Sequence, residues 1–424
     1  MIDSQQGSKK SMQRRIGAFI VPVVAVGLLL SGCSSTPSSS SSSSFLVAPT
    51  KVTIDTAKVQ AIVDVAFASH VDLSTLPDEA IQAYARAASD LTDAQVKTAL
   101  ACWKQPECTI GTGAVHIGIF NAVDNLWQTT AEMGIILQAM TYPEIGKITY
   151  AAVTDLPSAQ SAIRSMVAGG VNGILGYNAF GPALIPVFTE AQKAGAFVST
   201  YVGKTPDMPV TAVASQVYAD NAATGGQMAD IVLNDLKLTA KDQIAILMGT
   251  PGNPQDVAFS TAATDKFAKN NGPKVGFTAD TNWSRAGTAK AATDLIATGI
   301  PVKAILNSYT DPIPQAIAAY DQAGVQVPAI ISWTTSNELL GIWQKRQGTP
   351  QAFNLWYTNA LVHEGRISLS NIMSLLAGQT VPPETIVPSV FIKAAAGQYQ
   401  ADLPGDFPGF SALVPAAVMT GMLK

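Results

Sequence analysis

The sequence predicts an α/β protein of two doubly wound parallel-sheet lobes behind an N-terminal helical extension. Three observations predict it. Beyond residue 113, short β-branched runs alternate with amphipathic segments of helical period, the rhythm of parallel sheets with helices on both faces. That rhythm yields more strands than one sheet holds comfortably, so two lobes fit better, with a ligand cleft at the carboxyl ends of the strands. The chain has 424 residues, 47% hydrophobic and 13% charged, enough to bury more than one core.

The first segment, residues 1–32, has the pattern of an export signal. Lys9, Lys10, Arg14 and Arg15 supply a positive start, and residues 16–30 are an uncharged apolar run. The run is short for a membrane span, which needs about 20 residues, and contains Pro22 and Gly27. It ends in Leu30-Ser31-Gly32-Cys33, which resembles a bacterial lipobox, the Cys33 thiolate being the nucleophile that takes the lipid. The alternative is a coincidental cysteine after a signal anchor. Residues 33–49 continue as a Ser-rich tract that cannot bury a core and suits a flexible tether. The net charge of the whole chain is −4; cleavage before Cys33 removes four positive charges and one negative, leaving −7. So mild an acidity argues against a nucleic-acid partner, which calls for a basic stripe.

Residues 50–112 carry helical spacing. Val59, Ile62, Val63, Val65 and Ala66 form one stripe, and Ile81, Tyr84, Ala85 and Ala88 a second after Pro77-Asp78-Glu79, which suits a first turn. Thr92 and Gln95 have the spacing of a capping box. Cys102 and Cys108 flank a Pro-containing turn. In an exported chain this favours a local disulfide over a redox pair or two free thiols. The apolar stripes need burial, which favours packing on the first lobe over a partner surface.

In the main body, strands are expected over 115–120, 147–153, 173–177, 196–202 and 212–217, then 243–248, 275–278, 304–306, 329–332, 352–357 and 386–392. Helices are expected between them over 126–139, 158–168, 182–194, 221–236, 259–268, 286–297, 314–323, 338–347 and 362–376. The tail, 394–424, is rich in Pro, Gly and Ala, ends in an apolar run and has no functional reading.

Several phrases in residues 115–392, in order and with consistent spacing, carry a family likeness. They are His116-Ile117-Gly118-Ile119-Phe120, Met166-Val167-Ala168-Gly169-Gly170-Val171-Asn172-Gly173-Ile174 and Ala191-Gln192-Lys193-Ala194-Gly195-Ala196-Phe197-Val198. Tyr218-Ala219-Asp220-Asn221, Gly249-Thr250-Pro251-Gly252-Asn253-Pro254 and Trp283-Ser284-Arg285 follow. Together this stretch resembles the type I periplasmic binding proteins of sugar ABC transporters, the ribose-binding group. The resemblance implies lobes joined by a multi-strand hinge, lobe 1 being residues 113–219 plus 360–385 and lobe 2 residues 220–359 plus 386–393. It implies a monomeric receptor that closes on a small solute, a sugar or polyol, and delivers it to an ABC permease in the membrane. It implies no catalysis, cofactor or metal.

Sugar sites in that family pair flat aromatics, which stack on the apolar CH face of a pyranose, with donors and acceptors for its hydroxyl rim. Carried over by position, the resemblance points to Asn125 and Trp127 on the first loop and to Trp283 and Arg285 in the second lobe. It also points to Tyr309 and Asp311, to Trp333 and Thr334, and to Asn359 near the hinge. Tyr177, Asn178 and Gln255 complete the candidates. Each has a plainer reading: an aromatic at a strand end also caps a core, and a loop Asn also serves a turn. Asp220-Asn221 suits a hinge turn and helix cap better than a ligand contact.

The chain departs from the family at three charged anchors. Tyr201-Val202-Gly203-Lys204 stands where an Asp-Arg pair is usual, residues 255–264 contain no Arg, and Thr334 stands where an Asp is usual. Charge-assisted bonds to hydroxyls are the stronger ones. Their loss makes a free pentose doubtful and leaves an amino acid, nucleoside or small aromatic as the alternative, with ligand sensing a further one. A hydrolase is disfavoured: the chain has no Gly-x-Ser-x-Gly elbow, its three His are scattered, and Gly249-Thr250-Pro251-Gly252 lacks the Lys-Ser/Thr end of a phosphate loop. The three Cys and three His lack the spacing of a zinc site.

Overall fold

The computed structural model describes residue 47 and residues 50–121 and 125–423. The signal at 1–32, the lipidation candidate Cys33 and nearly all of the tether lie outside the described residues. The extension comprises α1 (Thr56–Ala66), α2 (Asp78–Ala87), α3 (Asp93–Cys102) and the short strand β1 (Glu107–Thr109). The first lobe runs through β2 (Val115–Asn121), α4 (Leu126–Ala139), β3 (Ile145–Ala152), α5 (Leu156–Ala168), β4 (Gly173–Tyr177), α6 (Ile185–Lys193), β5 (Phe197–Val202) and β6 (Ser215–Ala219). The chain crosses to α7 (Asn221–Asp230), β7 (Gln243–Met248), α8 (Pro254–Lys269), β8 (Lys274–Asp280), α9 (Arg285–Ala297), β9 (Val302–Asn307), α10 (Ile313–Gln322), β10 (Ala329–Ser332), α11 (Asn337–Arg346) and β11 (Leu355–Tyr357). It returns for α12 (Glu364–Leu376) and β12 (Glu384–Val387), crosses again to β13 (Ile392–Lys393) and ends in α13 (Ala416–Met422).

Two sheets result. The first has the order β1-β3-β2-β4-β5-β6-β12, the second β13-β11-β10-β9-β7-β8. Pairing is parallel except for β1 with β3 and β13 with β11. β2, Val-His-Ile-Gly-Ile-Phe-Asn, is buried at every position because β3 and β4 flank it and helices cover both faces. The helices start where their caps say: Thr92 and Gln95 close a capping box on α3, and Asp155, Asp220 and Asn253 cap α5, α7 and α8.

Three expectations need correction. The single strand expected over 386–392 is two strands in different sheets. Thr385 and Val387 of β12 are buried beside β6 in the first sheet, so residues 386–387 belong there and not with the second lobe. Pro388 and Ser389 carry the chain across before β13 pairs with β11. β1 was not expected to be a strand; it adds an antiparallel edge to β3, and the Cys102–Cys108 disulfide ties it to the end of α3. The expected helix over 182–194 opens as a 3-10 turn, Gly181–Leu184, before α6.

α12 is the pin of the first lobe. Ser368 Oγ donates to Ser199 Oγ at 2.7 Å, and Asn371 Nδ2 donates to Ser215 Oγ at 2.9 Å and Thr385 Oγ1 at 3.1 Å. Buried polar groups paired in this way fix one register of helix on sheet. The extension packs on the same lobe, with Val59, Val63, Phe67, Ala83 and Tyr84 fully buried in a core shared with α4 and α12. Among the described residues no helix is long and apolar enough to cross a membrane.

Candidate functional site

A cavity of about 330 Å³ opens between the two sheets, at the carboxyl ends of their parallel strands. The first lobe contributes Asn125, Trp127 and Gln128 from the start of α4, Thr154 after β3, Tyr177, Ala179 and Phe180 at the end of β4, and Val202 at the end of β5. The second lobe contributes Thr250 after β7, Gln255 in the first turn of α8, Asn282 and Trp283 after β8, Ser308 and Tyr309 after β9, and Trp333 and Thr334 after β10. Leu361, in the crossing between β11 and α12, closes the back.

The rings are held by the protein itself. Trp127 Nε1 donates to Ala360 O at 2.8 Å, and its ring meets Tyr177 edge-on, centroids 6.3 Å apart. Trp283 Nε1 donates to Ser308 Oγ at 3.1 Å, and its indole lies over Gly249, where a Cβ would overlap the ring. Tyr309 donates its hydroxyl to Asp311. Five lining residues, Val202, Asn282, Trp283, Thr334 and Leu361, are non-glycine residues with φ between 50° and 102°. β-branched Val202 and Thr334 in that region are genuine outliers, and strain of this kind collects where function holds the backbone in place.

Among the described residues, no Asp, Glu, Lys, Arg or His lines the cavity. Two carboxyls brace lining groups instead. Asp256 accepts from Gly249 N at 2.9 Å, with the Ser308 hydroxyl beside it; burial raises its pKa to about 6. Asp311 holds Tyr309, and burial raises its pKa to about 7. Two buried polar atoms of the lining, Trp333 Nε1 and Gln128 Oε1, have no hydrogen-bond partner among the described residues. Nor, among the described residues, is any cluster of three His, Cys, Asp or Glu side chains placed to hold a metal ion.

Eight of the residues singled out from the sequence come together here: Asn125, Trp127, Tyr177, Gln255, Trp283, Tyr309, Trp333 and Thr334. Four do not line the cavity. Asn178 is buried and donates to Gly181 O and Thr205 Oγ1, bracing its own loop. Arg285 is drawn to Glu338 at 2.6 Å. Asp311 stands behind Tyr309. Asn359 turns away from the cleft and donates to Ala66 O at 2.9 Å and His363 Nε2 at 2.8 Å, because the extension occupies that side of the crossing. Sequence reasoning did not single out the other nine lining residues, Gln128, Thr154, Ala179, Phe180, Val202, Thr250, Asn282, Ser308 and Leu361. Phe180 and Ser308 stand within a few residues of strand ends, which was the available signal; Gln128 is hidden inside a helix pattern and carried none.

The lobes touch across the cleft. The Tyr177 hydroxyl meets the side chains of Gln255 and Asn253 from the opposite lobe. Gln255 also presses on Gly203 of the first lobe, where any Cβ would overlap its amide. The arrangement is therefore a closed one, with binding groups on both jaws.

The stretch of chain that builds both lobes also matches a known family. The periplasmic binding protein domain family matches residues 117–380. The chain belongs to the periplasmic binding protein family. No curated protein sequence matches it. Among solved structures this periplasmic binding protein is similar to a glucose-galactose binding protein from Geobacillus stearothermophilus. That likeness has 17% identity and a TM-score of 0.59, covering 67% of this chain and 98% of that one. It is similar to an ABC transporter solute binding protein from Bacillus halodurans C-125 with bound myo-inositol, at 13% identity and TM-score 0.59, covering 66% and 95%. The periplasmic component of the arabinose ABC transporter from Shewanella sp. ANA-3 gives 15% identity and TM-score 0.59, covering 66% and 92%. At these identities the likeness bears on the fold alone. It covers the two lobes' worth of chain and leaves about a third of this protein outside.

Proposed function

We propose that this protein is an extracytoplasmic solute receptor that captures a small carbohydrate or polyol between its two lobes and delivers it to an ABC permease. The observation that carries this reading is the aromatic cleft, with rings and amides on both jaws and contacts from jaw to jaw. A pyranose offers an apolar CH face to rings such as Trp127 and Trp283, and a hydroxyl rim to Asn125 and Gln255. Enclosure from two sides makes the closed form the bound form, a hinge movement of the kind such receptors use. The named sugars and inositol of the fold neighbours support a carbohydrate. In this reading Cys33 carries a lipid, the Ser-rich tract tethers the body, and the protein acts as a monomer without catalysis.

A specific observation favours a second reading, an amino acid, nucleoside or other small non-sugar solute: among the described residues the lining lacks the charged anchors usual for sugars in this family. A thermal-shift panel of pentoses, hexoses, polyols, amino acids and nucleosides on the full chain separates the two. A ligand at 100 times its dissociation constant adds about 2.7 kcal/mol. A sugar or polyol hit supports the first reading, and a hit confined to amino acids or nucleosides overturns it.

A further inference from the structure

We propose that the solute is uncharged and flat, with apolar faces and few hydroxyls in its buried part: an aromatic ring, carried either free or as the aglycone of a glycoside. This rests on the solute-receptor reading and names the ligand class within it. Six rings, Trp127, Tyr177, Phe180, Trp283, Tyr309 and Trp333, line one cavity of about 330 Å³. Rings in this number suit a ligand that is itself a π-face, because aromatic pairs gain from offset or edge contacts beyond the area they bury. Among the described residues a charged ligand finds no counter-charge in the lining, and burying it unpaired is costly.

The polar groups point the same way. Most of those in the interior are already committed within the protein. Trp127 Nε1 is spent on Ala360 O, Trp283 Nε1 on Ser308, the Tyr309 hydroxyl on Asp311 and Thr334 Oγ1 on Thr310. Two buried groups are left over among the described residues, the Trp333 indole N–H and Gln128 Oε1, both on side chains only 3% exposed. They suit a ligand core with one acceptor and one donor. A free hexose brings about five hydroxyls, each a donor and an acceptor. Every one buried without a partner is a loss that the rings cannot make good. Of the other hydroxyls and amides of the lining, Gln255 meets the Tyr177 hydroxyl and half-buried Asn125 caps α4 through Oδ1, while Thr154, Thr250 and Asn282 are exposed at the mouth, where a polar substituent such as a sugar would sit.

Tryptophan-fluorescence titration of the full chain tests this with four sets of probes. They are D-glucose, D-galactose, L-arabinose and myo-inositol; phenyl β-D-glucoside and phenyl β-D-galactoside; phenol and indole; and benzoate and phenylalanine. The expected result is that a phenyl glycoside or a free neutral aromatic binds at least about tenfold tighter than any plain sugar. The second and third sets tell the two sources of the ring apart. Trp333→Phe, which keeps a six-membered aromatic ring and removes the pyrrole half of the indole with its N–H, is expected to weaken the tight ligand at least about threefold with the melting temperature retained within a few degrees. A plain sugar binding as tightly as its phenyl glycoside overturns the aromatic ligand and leaves the receptor reading intact. Benzoate binding as tightly as phenol overturns the uncharged ligand. Silence in every set, from a chain with a normal cooperative melt, overturns this inference together with the proposed capture of a small carbohydrate.

Discussion

Trp283 and Gly249 show how closely single residues define the cleft. The indole rests where a Cβ on residue 249 would stand, and Trp283 itself holds φ at 50°. Gly249→Ala must displace the ring. It is expected to weaken the bound solute by about tenfold while shifting the melting temperature by only a few degrees, since the clash is with a cleft ring and not with the core. Parallel titration and thermal melts of the variant check this. Five of the six aromatic members of the site were legible in the sequence because each lies at or beyond a strand end, and strand ends meet at the cleft in a doubly wound fold; Phe180, which stands just beyond β4, was the one missed. Asn359 and Arg285 looked equally eligible. Their side chains went to partners far away in sequence, Ala66 and Glu338, which no local pattern announces.

The elements around the second crossing, between β11 and α12, explain what the extension and the tail do for the fold. Ala360 is held from both sides, its carbonyl by Trp127 and its N–H by Ser411 Oγ of the tail at 2.8 Å. Asn359 binds α1 through Ala66 O, and His363 meets the Tyr84 hydroxyl of α2 at 3.0 Å. The tail first lies on α11, where Asn337 Nδ2 donates to Gln400 O and Leu403 O. It then reaches the first lobe, where Arg366 donates to Leu413 O at 2.8 Å. It is a strap over the hinge, and its apolar end, which carried no reading in the sequence, buries Val418 and Met422 in the core shared with the extension. The alternation of strands and helices was legible throughout the lobes. β1 was not, because a three-residue, mostly exposed edge strand has no hydrophobic period to detect.

His363 gives this cluster a pH signature. With Nε2 accepting from Asn359, the neutral ring keeps its proton on Nδ1, and burial, aided by the Arg366 charge, lowers its pKa to about 3. The unfolded chain binds this proton near its ordinary value of 6.5. Between pH 6.5 and 3 the unfolded state therefore holds up to one proton more, and stability falls as the pH falls. Neighbouring Glu364, pushed well upward by burial, acts in the opposite sense, its effect growing as the pH rises above its ordinary 4.5. His363→Gln is expected to flatten the acid limb. Denaturant midpoints from pH 7 to 4 should decline less steeply than in the natural protein, and an unchanged slope would contradict the neutral buried ring.

At the scale of the whole molecule, the decisive contact is jaw on jaw. Gln255 of the second lobe lies against Gly203 of the first and beside the Tyr177 hydroxyl. Gly203→Ala forces the Gln255 amide aside and loosens the closed form. A several-fold faster ligand release is expected, by stopped-flow displacement, for neighbours coupled in this way. In a Gln255→Ala background the same change should add nothing, because the clash is gone. Additive effects would mean that the two residues do not meet in the bound state.

The most direct test of the account is a thermal-shift panel of neutral solutes, plain sugars and phenyl glycosides together, run side by side on the natural chain and on Trp127→Leu/Trp283→Leu. One solute class should raise the melting temperature of the natural chain by several degrees at about 100 times its dissociation constant. The shift should vanish in the double variant. A shift that survives loss of both rings would place the solute elsewhere and contradict the cleft between the lobes as the binding site.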